Sequence, residues 1–173
     1  MKTLLICHSI FAALMLSAAP QILFDSDLDT KLGCQEVAIS RPDDGTICVT
    51  KTSPADWGGF YLPRVSTSGL EGKAVRISGH VQVKSLNNTC QRRAIVKGII
   101  WFENKERATW KERIGSDSFF SLTEAGKEVA FDKTVPVPQN VKYMIAFLHF
   151  GYATGEFVVK DLKVETVSAD NVK

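Results

Sequence analysis

The sequence is poor in several features that define large protein classes. It holds four cysteines in 173 residues, too few for a dense disulfide framework. Lys and Arg number 21 against 19 Asp and Glu, a formal net charge of +2. That near balance argues against a nucleic-acid binder, which concentrates positive charge and has a higher pI. After residue 19, no apolar run approaches the ~18 residues of a membrane span. Gly-x-Ser-x-Gly, His-Glu-x-x-His and phosphate-cradling glycine loops are missing, and with them the common hydrolase, zinc-protease and nucleotide-binding signatures. Helical periodicity is scarce too. Only residues 104–113 could form a helix, and the same charged segment reads equally as a loop.

What is present begins with a leader. Lys2 is followed by an apolar stretch from Leu4 to Leu16 and by the small residues Ser17, Ala18 and Ala19 before Pro20. This is the pattern of a secretory signal peptide over residues 1–19, cleaved near 18–19. It predicts a secreted or periplasmic protein whose folded domain spans 20–167, with a frayed polar end over 168–173. Export places Cys34, Cys48 and Cys90 in an oxidising compartment. The expectation is that 36–39 and 46–51 are early, adjacent strands, which makes Cys34 and Cys48 the candidate disulfide; three buried thiols are the alternative. No metal-ligand spacing involves these cysteines, His80 or His149. Asn87-Asn88-Thr89 is an N-glycosylation sequon, meaningful only in a eukaryotic secretory route.

Strand-like runs recur between turn clusters: 22–24, 36–39, 46–51, 59–65, 73–86, 94–103, 118–122, 128–137, 141–151 and 155–167. The run 73–86 alternates with period two, Val75, Ile77, Val81 and Val83 facing one way, Arg76, Ser78, His80, Gln82 and Lys84 the other. Many short strands separated by Pro/Gly turns predict an all-β sandwich or barrel. Two runs break the alternation. Residues 95–102 are apolar on both faces apart from Lys97, and 143–150 apart from His149. An antiparallel sheet with one wet face should alternate. Both strands are therefore expected to be central, with their second face covered or used.

Eight strands wound as a jelly roll put 59–65, 94–103, 118–122 and 141–151 in one sheet, and 46–51, 73–86, 128–137 and 155–167 in the other. Parity then sends Val96, Ile100, Phe102, Met144, Ala146 and Leu148 inward. Lys97, Ile99, Trp101, Tyr143, Ile145, Phe147 and His149 share the outer face. Flat rings stack on the C–H face of a pyranose, and polar side chains bond its hydroxyls, so such a face suits a sugar. It would equally suit a partner domain or a covering segment. The candidate binding residues are Trp101, Tyr143, His149 and Lys97 on the face, with Trp57, Trp110 and Tyr61 at its rim. Tyr152 and Arg92-Arg93 are secondary candidates. Glycoside hydrolysis usually needs two carboxylates about 5–10 Å apart, and Glu103 stands alone among the apolar strands. Tyr143, His149 and Arg64 could imitate a polysaccharide-lyase constellation, but no lyase motif accompanies them.

The segment Leu70-Glu71-Gly72-Lys73-Ala74-Val75-Arg76-Ile77-Ser78-Gly79 resembles the "Gly-Lys, alternating strand, Ser-Gly" stretch of the non-catalytic carbohydrate-binding modules of the galactose-binding-like jelly-roll superfamily. Gly126-Lys127-Glu128-Val129-Ala130-Phe131 before Val135-Pro136-Val137-Pro138 is similar to the same family. So is the closing strand, from Ala153-Thr154-Gly155 to Asp161-Leu162-Lys163-Val164. The likeness covers about residues 57–165. It implies a jelly-roll β-sandwich of two antiparallel sheets and about eight or nine strands, which binds a poly- or oligosaccharide without cleaving it. It also implies a partner glycoside hydrolase; self-association or a structural protein-binding role is the alternative. No cofactor is required. Family members often hold a structural calcium where first and last strands meet. Asp161 matches that position, with Asp25, Asp27 and Asp29 as further oxygen donors. Asp25-Ser26-Asp27-Leu28-Asp29 resembles the opening of an EF-hand loop, but Thr30 replaces its glycine and no Glu closes it. Lys160 stands where the family often has a second Asp.

Overall fold

A computed structural model describes residues 20–26, 32–104 and 113–168. The leader, Asp27, Asp29, Trp110 and 169–173 lie outside the described residues. Twelve strands appear among those described: β1 (Ile22–Asp25), β2 (Gly33–Gln35), β3 (Ala38–Ser40), β4 (Thr46–Lys51), β5 (Trp57–Tyr61), β6 (Val65–Ser66), β7 (Lys73–Asn88), β8 (Ile95–Asn104), β9 (Arg113–Leu122), β10 (Glu128–Pro136), β11 (Val141–Gly151) and β12 (Ala153–Ser168). They form two antiparallel six-stranded sheets. Sheet A runs β10-β7-β12-β4-β3, with β1 on β12. Sheet B runs β2-β5-β11-β8-β9, with β6 on β11. This is the jelly-roll winding expected from the sequence, and β8 and β11 are neighbours inside sheet B.

The core lies between the sheets. Val75, Ile77, Val81 and Val83 of β7 are fully buried, as their alternation requires. Val96, Ile100 and Phe102 of β8 meet Met144, Ala146 and Leu148 of β11 in the same cluster. The expected strand over 59–65 is instead two, β5 and β6, because Pro63 has no N–H to give the ladder. Leu62 N and Thr67 N on either side still donate to the β11 carbonyls of Ala146 and Lys142.

The proposed Cys34–Cys48 bridge is corrected. Cys34, Cys48 and Cys90 are all free. Cys34 sits on β2 opposite Phe60 in sheet B, whereas Cys48 sits on β4 between Ser40 and Val158 in sheet A. The chain changes sheets between β2 and β3, at Glu36, which adopts a left-handed φ of 57°. Along β4, Ile47, Val49 and Lys51 are buried, so Cys48 takes the outward side, away from sheet B. The runs 36–39 and 46–51 do become neighbours, as β3 on β4, but Cys34 lies before that pair, on β2 in the other sheet.

Candidate functional site

The outer face of sheet B carries the parity the sequence predicts. Trp101, Ile145 and Phe147 form a second apolar cluster, separate from the core, with Tyr61 and Ile99 packed against it. Their rings run in series across the strands. Phe147 stacks on Tyr61 of β5 at 4.1 Å between centroids and on His149 at 4.8 Å. Trp57 tilts against His149 at 4.9 Å and Tyr152 at 5.2 Å. Trp101 meets Tyr61 edge-on at 6.3 Å. The register explains the series: His149 pairs with Gly59 on one side and Lys97 on the other, and Phe147 with Tyr61 and Ile99. Gly59 makes the close approach possible, since a Cβ there would lie 2.1 Å from the Leu148 carbonyl oxygen.

Over this series opens a cleft of about 650 Å³, within the size range of small-ligand sites. Its floor is Tyr61, Ile99 and Phe147, and its polar groups are Gln35, Lys97 and His149, with Trp57 at one end. Trp57 is 45% exposed, one of two large apolar side chains so placed among the described residues. Tyr61 Oη donates to Gln35 Oε1 at 3.5 Å. His149 is buried, and its Nδ1 lies 3.2 Å from the Phe150 carbonyl, which favours the Nδ1–H tautomer.

Of the sequence candidates, Trp57, Tyr61, Lys97 and His149 line this cleft. Trp101 does not: it is 4% exposed and backs Tyr61. Tyr143 stands at the far end of the same face, with the guanidinium of Arg64 at 5.9 Å and the Lys142 ammonium at 5.3 Å from its ring. Trp110 lies outside the described residues. Gln35, Ile99 and Phe147 were not among the candidates; parity had put Ile99 and Phe147 on this face, but Gln35 arrives from the unforeseen strand β2.

The lyase-like trio does not converge. Tyr143 and His149 are six residues apart on β11, a separation of roughly 20 Å, and only Arg64 approaches Tyr143. Arg64 also reaches Glu103 at 3.5 Å. Glu103 is 5% exposed and keeps Oε2 without a hydrogen bond.

The loop that delivers Trp57 is organised by a residue the sequence reading passed over. Lys51 is 1% exposed. Its ammonium donates to the carbonyls of Ser53 and Ala55 at 2.6 Å and of Ala153 at 2.9 Å. Burial pushes its pKa below the ordinary lysine value, with Glu36 and Asp56 opposing the shift. The signal was available: Ile47, Val49 and Lys51 share inward parity. At the second rim, Arg92 lies over the Tyr152 ring and its Nη1 donates to the Tyr152 hydroxyl.

At the junction implied for calcium, Asp25 and Asp161 are described, whereas Asp27 and Asp29 lie outside the described residues. Asp25 pairs with Lys163 across β1 and β12. Asp161 sits at an irregularity of β12 with φ 51°; its carboxylate is three-quarters exposed and 3.6 Å from His80 Nδ1. The Gly45 carbonyl accepts from Ser26 Oγ and from Asp161 N, both at 3.1 Å. The Ser26 carbonyl accepts from the Arg41 guanidinium at 3.4 Å. A guanidinium thus already serves one of the oxygens, and no group of three acidic, His or Cys side chains for a cation occurs among the described residues.

No protein-family model matches the chain, and no curated protein matches it. Solved structures do. A xylan-binding domain of family 22 from Paenibacillus barcinonensis shares 15% identity at a TM-score of 0.58, covering 87% of this chain and 97% of its own. The family 11 carbohydrate-binding module of Clostridium thermocellum, solved with a β-1,3-1,4-mixed-linked tetrasaccharide, shares 15% at 0.51, covering 87% and 96%. A family 22 module joined to a GH10 module, from a Clostridium thermocellum endo-1,4-β-D-xylanase complexed with xylohexaose, shares 10% at 0.55, covering 86% of this chain and 29% of that one. At these identities the likeness is one of fold, and by fold the chain is a jelly-roll β-sandwich whose structural neighbours are carbohydrate-binding modules.

Proposed function

We propose that this chain is an exported carbohydrate-binding module that holds a poly- or oligosaccharide on the outer face of sheet B without cleaving it. The observation that carries the reading is the ring series Trp57–His149–Phe147–Tyr61 beside a cleft to which Gln35 and Lys97 bring polar groups. Flat rings desolvate the C–H faces of sugar rings, while Gln35 and Lys97 meet hydroxyls; His149, 1% exposed, sits between the rings of Phe147 and Trp57 and holds them in series. The structural neighbours support it: one is a xylan-binding domain and another was solved with a tetrasaccharide. Trp101 acts in this reading as the support behind Tyr61, and Tyr143 as the outer limit of the face. Binding without cleavage fits the carboxylates: Glu103 is the face's acidic group among the described residues, and it faces Arg64 rather than a second acid. A glycoside hydrolase, in the same polypeptide or another, is the expected partner, as in the neighbour joined to a GH10 module.

The test is a plant, algal and host glycan array probed with the protein lacking residues 1–19, with and without calcium, beside Trp57→Ala. Binding to a defined polysaccharide, weakened in the variant, is the expected result. A blank array from folded protein, together with a stable dimer at low micromolar concentration, would replace this reading with docking of a second copy. New ultraviolet-absorbing ends in a digested polyuronate would replace it with a lyase.

A further inference from the structure

We infer that the sugar taken by the sheet B cleft is anionic, and that Lys97 is the residue that selects it; this rests on the carbohydrate-binding reading above. Among the described residues that line the cleft, Lys97 is the only formally charged side chain. It is half-buried on an inner strand, and its cross-strand neighbours are His149 and Ser121, neither a carboxylate. The other half-buried cations among the described residues all have oxygen partners. Arg76 has Asp132 and Glu165, Lys133 has Asp117, Lys163 has Glu165, and Arg41 has the Ser26 carbonyl. Among the described residues, Lys97 has no ion pair or hydrogen bond of this kind. Holding an ammonium partly out of water beside rings costs free energy unless an opposite charge meets it. The carboxylates of Glu36 and Asp56 act on the Lys51 ammonium. A ligand that brings its own negative charge completes the site: the carboxylate of a uronic acid or a sulfate ester, seated over Ile99 with its ring on Phe147 or Tyr61. The rim matches, since Arg92 flanks Tyr152 at the Trp57 end.

The experiment is calorimetric titration of the protein lacking residues 1–19 with matched pairs. Oligogalacturonides and glucuronoxylan fragments are each compared with their carboxyl-reduced forms, and carrageenan oligosaccharides with their desulfated forms. Xylohexaose and a mixed-linkage glucan tetrasaccharide serve as neutral probes. At least one acidic member should bind tenfold or more tightly than its neutral counterpart. Lys97→Gln should abolish that ratio, Lys97→Arg should keep it, and Lys84→Gln on the other sheet should leave it unchanged. Which pair responds tells carboxylate from sulfate. Equal affinity for acidic and neutral members, or a ratio that survives Lys97→Gln, overturns the inference and leaves the carbohydrate reading standing. No binding to any member, acidic or neutral, overturns both.

Discussion

Arg76 and Phe147 hold similar stations, each an outward residue on an inner strand, one in sheet A and one in sheet B. Around Arg76 the surface is a lattice of charges. Its guanidinium grips both oxygens of Asp132, at 2.8 and 2.6 Å, and reaches Glu165 at 3.3 Å, which in turn takes Lys163 at 3.1 Å. Around Phe147 the surface is rings, and Lys97, the cation lining the cleft, has no ion-pair partner among the described residues. Both sheets obey the same inward rule, since each must cover the same core. They differ only in what the outer positions are asked to meet. Sheet A is finished when water touches it. Sheet B gives outward positions to Tyr61, Ile99 and Phe147, which pack into an apolar cluster of their own, and to Trp57, which is 45% exposed. The departure from alternation therefore marks the face proposed to bind, and the charge lattice marks the face that meets water.

The sharpest way to break this contrast is to undo the loop that completes the face proposed to bind. Lys51→Met should remove the donor that three carbonyls share and cost roughly 3 kcal/mol or more, a fall in Tm of about 10 °C for a domain of this size. Hydrogen exchange should show 52–56 opening and the emission of Trp57 should move toward that of a solvated indole. A Tm within a degree or two of the parent would mean that water replaces the ammonium and that Lys51 does not position the loop.

Next in size is a split between binding and folding. Trp57 is half exposed and closes one end of the ring series. Trp57→Ala should weaken glycan binding by about 2 kcal/mol, near thirtyfold, as loss of an anchor does. Stability should change by less than about 1 kcal/mol, as for most surface substitutions. Titration of both proteins with the best array ligand, beside urea unfolding, separates the two quantities. Equal losses in both would make Trp57 a cap on the fold rather than a contact.

How far these faces could be read beforehand follows from the same alternation. Val75 to Val83, and the inward and outward sets of β8 and β11, were legible because period two is local and a strand cannot disobey it without a bulge. Lys51 was legible by the same count but was hidden by its residue type, since lysine is assumed to seek water. Gln35 and the separation of Cys34 from Cys48 were not legible. They depend on the chain crossing between sheets at Glu36, and nothing local distinguishes that residue from an ordinary turn. For Trp101 parity left two readings, a covered strand residue or an open platform, and its 4% exposure decides for the first.

The smaller predictions concern the face that meets water. Arg76→Ala should cost about 1 kcal/mol or less, because its side chain and that of Asp132 are 42% and 55% exposed and water screens the pair. Glycan binding should not change. If it does, the two faces are coupled through β7 and the contrast drawn here is too sharp.

The smallest effect is a pH dependence, and its sign is fixed. The Arg76 hydrogen bonds hold the Asp132 carboxyl below its ordinary value of 3.8, against the opposing effect of its partial burial. A carboxyl that is more acidic in the folded chain than in the unfolded one stabilises the fold above the unfolded value. That contribution disappears as pH falls through the folded value. In urea unfolding from pH 6 down to 2, Asp132→Asn should lie slightly below the parent at pH 6, by a fraction of a kcal/mol given the exposure of the pair. The two curves should converge below pH 4. A constant gap across the range would mean that the substitution acts through packing on β10 rather than through charge. The charge lattice would then be a decoration on sheet A, and alternation alone would account for that face.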